Sequence, residues 1–291
     1  MYLSSLLEVE MTSYYRIETY IKDLPQESGP CDPNTALDEN WPTHGAVHVE
    51  NLTAGYSLDE DAVLKGIDFK ALAGERVAIV GRTGSGKSSL ALSLLRLTTR
   101  LHGSVTIDGV DVESLEVDRL RQHISLIPQD PTLFDGTMRF NLDPSGRECD
   151  EHLQVVLNDV VGTPDKWHLD DLVEGNGKNL SHGERQLIAL ARAIVSQNRI
   201  VILDEGTASL DQDSEARIHA VLRARFSDCT VIAISHQLHS VLDFDRVLVL
   251  DQGRVAEQGN PRELLITGNG WFQTLYMQQD CSPDDDPNPA R

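Results

Sequence analysis

No run of this sequence approaches the roughly twenty apolar residues that a membrane-spanning helix needs, so nothing in it reads as a bilayer span. Cysteine is scarce. Cys31, Cys149, Cys229 and Cys281 are scattered without paired or metal-like spacing, which points to a reduced, intracellular compartment. The start carries Glu8 and Glu10 and no basic leader, so no secretory signal is read. Basic residues are also short: 25 Lys and Arg stand against 46 Asp and Glu, a net charge of −21. Residues 1–45 and 280–291 hold 12 of the acids and 3 of the bases, so −9 of that charge sits at the ends. The remaining body is still acidic, which argues against a nucleic-acid groove or an anionic-lipid patch as the main partner surface. The charge then serves solubility.

What is present is a globular composition, 40% hydrophobic and 24% charged over 291 residues, enough for a sizeable core in one large or two modest domains. Its organising stretch is Gly81-Arg82-Thr83-Gly84-Ser85-Gly86-Lys87-Ser88, which follows the apolar run Val77-Ala78-Ile79-Val80 and opens a helix-favouring run over 90–97. Strand, glycine-rich turn and helix start is the arrangement that cradles nucleotide phosphates. Glycines let successive N–H groups converge on phosphate oxygens. Lys87 suits the outer phosphates, and the Ser88 hydroxyl suits a magnesium ion.

Residues 1–24 place Leu3, Leu7, Tyr14, Ile17, Ile21 and Leu24 at helical spacings, and Pro25 ends the stripe. Residues 25–45, rich in Pro, Gly, Asp and Asn, read as a linker. Tyr56 sits in a loop ahead of the phosphate turn, where its ring suits stacking on a purine or simple packing. Short β runs are expected over 63–69, 76–80, 104–107 and 124–127, with Asp108-Gly109 as a turn. Gln129, in Ile127-Pro128-Gln129-Asp130-Pro131, is either a carbonyl ligand for a metal or attacking water, or an ordinary loop residue. From residue 137 to about 197 the pattern turns helical. Within it, Ser181 and Glu184 have capping-box spacing, worth about 1 kcal/mol. Ser181, Gly183 and that helix start also suit a phosphate from outside their own domain.

The apolar run Ile200-Val201-Ile202-Leu203 reads as a buried parallel strand ending in Asp204-Glu205. Two carboxylates at such a strand end sit where α/β ligands bind: Asp204 suits magnesium through water, Glu205 an attacking water. A further strand over 230–234 ends at Ser235-His236, which places the imidazole at the same edge. The tail over 278–291, with Asp284-Asp285-Asp286, reads as disordered.

This order of aromatic loop, phosphate turn, Gln129, Ser181 helix start, Asp204-Glu205, Asp211 and His236 resembles the nucleotide-binding domain of ATP-binding-cassette (ABC) proteins over residues 46–277. The resemblance implies an α/β fold, a P-loop NTPase core of ABC ATPase type with an antiparallel β subdomain and a helical subdomain inserted at about 137–197. It implies an ATPase using ATP and Mg2+. Glu205, His236, Lys87 and Gln129 would be catalytic. Tyr56, Gly81, Arg82, Thr83, Gly84, Ser85, Gly86, Lys87, Ser88 and Ser89 would hold the nucleotide. Ser181, Gly183 and Glu184 would meet a partner's nucleotide, Ser88, Gln129 and Asp204 would hold the metal, and Asp211 would be the D-loop.

The motifs Gly81-Arg82-Thr83, Ile127-Pro128-Gln129-Asp130-Pro131, Asn141-Leu142-Asp143-Pro144 and Asp245-Arg246-Val247-Leu248-Val249-Leu250 resemble the second nucleotide domain of subfamily C, the multidrug-resistance-associated exporters. Trp41-Pro42 is similar to the approach to that domain. Residues 1–24 would then be the cytosolic remnant of a transmembrane helix. The implied partners are a second nucleotide-binding domain, head to tail, and membrane domains absent from this chain, with no nucleic acid. The implied place is the cytoplasmic side of a membrane, or the cytosol if the chain is complete. Two departures stand out. Leu180-Ser181-His182-Gly183-Glu184 replaces the usual Leu-Ser-Gly-Gly-Gln, and its carboxylate is expected to weaken closure by like charge and leave one of two sites slow. Gly206 replaces the usual alanine and loosens the backbone beside Glu205. A second reading is an ATP-binding regulatory module with little turnover. A third, a soluble ABC ATPase of DNA repair or translation, is disfavoured by the acidic charge.

Overall fold

A computed structural model describes residues 2–24, 38, 40–57, 61–163, 166–204, 212–235, 237–267 and 270–280. The side chains of 2–10, 212–216, 219 and 280 lie outside that description. The first element is helix α1 (Tyr2–Asp23), whose Tyr14, Ile17 and Ile21, with Leu24 just beyond it, are exposed. Leu3 and Leu7 fall among the undescribed side chains. Among the described residues no helix is long and apolar enough to cross a membrane.

The chain approaching the first strand is pinned rather than loose. Trp41 is buried, its Nε1–H donates to the Ile107 carbonyl (3.2 Å), and the Trp41-Pro42 peptide is cis. The Asp108 carboxylate accepts the N–H groups of His44, Gly45 and Ala46 at 2.9, 3.0 and 2.8 Å. Burial works to raise the Asp108 pKa, but these backbone donors outweigh it and hold the carboxyl below its ordinary value. Residues 25–37 and 39, the rest of the expected linker, lie outside the described residues.

Strands β1 (Val47–Gly55) and β2 (Leu64–Ala71) pair antiparallel, and β1 pairs on its other edge with β4 (Thr99–Ile107), the strand that follows β3 (Arg76–Gly81) and helix α2 (Lys87–Leu94). A two-residue β5 (Val110–Asp111) completes the order β2-β1-β4-β5. Asp108 and Gly109, both at positive φ (48° and 81°), make the β4–β5 turn, as tight hairpins require. β4 begins at Thr99, five residues before the apolar run over 104–107, because Thr99, Arg100 and His102 pair with Gly55, Ala54 and Thr53 of β1.

The second sheet has the order β12-β11-β3-β10-β9-β6. Helix α3 (Val117–Gln122) leads into β6 (Ile124–Ile127). The remaining strands are β9 (Ile200–Asp204), β10 (Thr230–Ile234), β11 (Arg246–Asp251) and β12 (Arg254–Gly259). All but β12 run parallel. Alternation along one strand divides the core. Val77 and Ile79 face α2 and the antiparallel layer, whereas Ala78 and Val80 face the helices of the other side.

That other side comprises α4 (Met138–Leu142), α5 (Asp150–Val161), α6 (His182–Val195) and α7 (Gln212–Arg225). A two-stranded ladder joins β7 (Gly136–Thr137) to β8 (Leu172–Val173), although the sequence pattern turns helical from residue 137 to about 197. Asn141, fully buried, accepts the Phe134 N–H, donates to the carbonyls of Phe134 and Thr137, and accepts from Arg192 of α6. Helices α8 (Pro261–Thr267) and α9 (Trp271–Asp280) close the described chain. α9 takes in 278–280, and the acidic residues after it lie outside the description. The α/β architecture expected from sequence, a parallel core sheet with an antiparallel β layer and helices, is present.

Candidate functional site

The site is built at the carboxyl ends of the parallel strands, where helix-capped sheets gather ligands. Ile79 of β3 pairs with Ile234 of β10, Ile234 with Asp204 of β9, and Leu203 with Ile127 of β6. This register brings the phosphate turn after β3, Ser235 after β10, Asp204 and the Gln129 loop to one edge. Glu205 and His236, both expected to act here, and Asp211, expected as the D-loop, lie outside the described residues. Their neighbours Asp204 and Ser235 mark where the chain leaves that edge.

Gly81, Gly84 and Gly86 carry φ of 151°, 79° and 101°, the region that only glycine enters without strain. A methyl at Gly81 would collide with the Leu250 carbonyl of β11, whereas at Gly84 it would meet nothing. The back of the turn is braced by Gly253 in the β11–β12 hairpin, whose N–H donates to the Ser85 carbonyl (3.0 Å). Gly253 carries φ 79°, and a side chain there would strike the Val63 carbonyl. Nothing in the phosphate motif announces this brace; its only sequence signal is the Asp251-Gln252-Gly253 turn.

Lys87, buried at the start of α2, folds its Nζ back onto the carbonyls of Gly81 (3.0 Å) and Arg82 (3.1 Å). No side chain caps α2 at Gly86. The Ser85 hydroxyl is buried with no hydrogen-bond partner among the described residues. A turn with uncapped N–H groups, an orphaned hydroxyl and an ammonium on its own carbonyls fits a phosphate chain. Ser88, Arg82 and Thr83 are exposed at its rim. Tyr56, just past β1, joins them, its hydroxyl hydrogen-bonded to Ser89 Oγ at 2.9 Å and its ring half exposed. The oxygen donors Ser88, Gln129 and Asp204 suit a hard cation such as magnesium.

The Ser181 segment opens α6. Ser181 caps α6, and both bonds of the capping box with Glu184 are made. Glu184 also accepts from Lys166 Nζ at 2.8 Å. Burial works to raise the Glu184 pKa, and the Lys166 and Ser181 hydrogen bonds overcome it, holding the carboxyl below its ordinary range. The helix start is tied to the Gln129 loop. Arg185 donates to Asp130 (2.9 Å) and Gln186 to the Gln129 carbonyl (3.2 Å). Gln186 was legible as an oddity: a polar residue on the buried stripe of α6, 2% exposed. Lys166 had no such signal.

The family described as "ABC transporter" matches residues 64–208. ATP-binding cassette transporter abc1 of Schizosaccharomyces pombe is 44% identical over 267 residues, 87% of this chain and 19% of that protein. ABC transporter C family member 12 of Dictyostelium discoideum is 42% identical over 279 residues, 93% of this chain and 21% of that protein. The chain therefore spans about a fifth of the length of these curated relatives. The solved structure of a bacterial Atm1-family ABC exporter with ATP bound superposes with a TM-score of 0.81 at 32% identity, covering 94% of this chain and 47% of that one.

Proposed function

This chain belongs to the ABC transporter family as one of its nucleotide-binding domains, and from that premise we propose that it binds and hydrolyses ATP to drive export through membrane segments of a longer protein. The observation that carries the reading is the strand register, which sets the phosphate turn, Asp204 and the Gln129 loop on one edge with Tyr56 tethered to α2. Tyr56 would stack on the adenine, and the turn would hold the phosphates through its N–H groups. Lys87 would exchange the carbonyls of Gly81 and Arg82 for phosphate oxygens. Magnesium, held by Ser88, Gln129 and Asp204 through water, would neutralise phosphate charge. Glu205 would polarise the attacking water, and His236 would meet the terminal phosphate.

The Ser181 face would close over the nucleotide of a second nucleotide-binding domain, head to tail, and that closure would move the attached membrane helices. The exposed Tyr14, Ile17 and Ile21 of α1 support reading it as the cytosolic end of a transmembrane helix. The domain would thus lie on the cytoplasmic side of a membrane. The subfamily C motifs and the C family relative favour a second nucleotide domain of that subfamily.

The test is Glu205→Gln, assayed with a partner domain present. ATP binding should persist while phosphate release stalls; wild-type turnover would remove Glu205 as the base. The second reading is an ATP-gated interaction module with little turnover. Absence of phosphate release both alone and with an intact-signature partner would select it.

A further inference from the structure

Glu184 is the chain's sharpest departure from the family signature, a carboxylate where an amide is usual and where a partner's triphosphate would approach. Bare, it would repel that ligand. The structure leaves neither oxygen bare. Oε2 accepts the Ser181 N–H at 2.9 Å, and Oε1 accepts Lys166 Nζ at 2.8 Å. Lys166 comes from the segment between α5 and β8, and its ammonium sits 5.1 Å from the ring centre of buried Trp167, which orients the stem. The other charged residue of the first turn, Arg185, is balanced by Asp130 at 2.9 Å. The helix start therefore carries a compensated pair, with Glu184 a quarter exposed and Lys166 44% exposed, so solvent and salt screen it in part.

We propose that Lys166 is a positioning residue of the nucleotide site on the Ser181 face: it neutralises and holds Glu184, so that the acidic signature can close on ATP. This rests on the reading that Ser181 faces a partner's nucleotide. It also changes the charge expectation drawn from sequence, since repulsion should emerge only when Lys166 is lost. Lys166 touches no nucleotide in this scheme and acts through Glu184 alone.

The test uses the full chain carrying Glu205→Gln, which traps ATP, and measures ATP-driven association of two copies by sedimentation. Adding Lys166→Met should raise the ATP concentration needed by about fivefold, the scale of a partly exposed ion pair. Lys166→Arg should stay near the parent. Lys166→Met with Glu184→Gln should return to within about twofold of the parent, because the charge to be balanced is gone. Loss of a merely structural contact would not be rescued by that second change, and thermal melts of each variant identify any that fail to fold. If the trapped chain associates with ATP and Lys166→Met matches it, the role of Lys166 is overturned while the transporter reading stands. If the trapped chain never associates, the closed-dimer reading falls and takes this role with it.

Discussion

The Tyr56 hydroxyl and Ser89 Oγ lie 2.9 Å apart, joining the loop after β1 to the second residue beyond Lys87. The tether holds an exposed aromatic ring beside a phosphate turn that it would otherwise leave. Tyr56→Phe removes the tether and keeps the ring, so ATP affinity should fall about two- to fivefold, the scale of one hydrogen bond. Tyr56→Ala also removes the stacking face and should cost about tenfold or more. Binding of a fluorescent ATP analogue checks both. Equal losses would mean that the ring does not contact the base.

Two glycines of one turn should respond differently to the same change. Gly84→Ala meets open space and bears only the strain of positive φ, about 1–2 kcal/mol. Gly81→Ala adds a collision with the Leu250 carbonyl, a backbone atom of the neighbouring strand. It should destabilise by more than about 3 kcal/mol, among the largest single-site effects. Chemical denaturation of the two variants gives the comparison.

The parallel strands and the phosphate turn were legible because their signals are local: an apolar run, glycines at fixed spacing, a helix start. The first half of β4 was not, since Thr99 to Gly103 read as polar and are held by pairing with distant β1. β7 and β8 are two residues each, too short for any periodicity. Asn141-Leu142-Asp143-Pro144 was visible only as a family likeness. In the fold Asn141 clamps Arg192, and Asp143 accepts the N–H groups of Ser145, Gly146, Arg147 and Glu148. Lys166 and Glu184 are 18 residues apart across a loop and a strand, and no pattern in the chain links them. Pairings made by tertiary structure stay silent in sequence, however strong their chemistry.

Asp108 makes stability depend on acid in a defined direction. Its folded pKa is depressed, because backbone donors outweigh the burial that would raise it. Such a group contributes its full stability above its unfolded pKa of about 3.9 and loses it as pH falls through the lower folded value. Asp108→Asn should therefore be less stable than the parent at pH 7, with the gap narrowing below about pH 4. Denaturation midpoints at several pH values test this, and a gap that does not change with pH would rule it out.

The last element of the described chain braces the loop that follows His236. Gln279 of α9 accepts the Leu238 N–H at 2.9 Å. The Tyr276 hydroxyl is hydrogen-bonded to His239 Nδ1 at 2.7 Å, with the two rings edge to face. Phe272, fully buried, fixes α9 to the core on which this brace depends. If His236 meets the terminal phosphate, the brace should matter for turnover and little for ATP capture, which is the work of the phosphate turn and Tyr56. Gln279→Ala should lower kcat about fivefold, the scale of one hydrogen bond, and leave ATP affinity unchanged. Phosphate release at saturating ATP, measured beside equilibrium binding, separates the two. A loss of affinity at unchanged kcat would instead make α9 a prop for the nucleotide pocket as a whole.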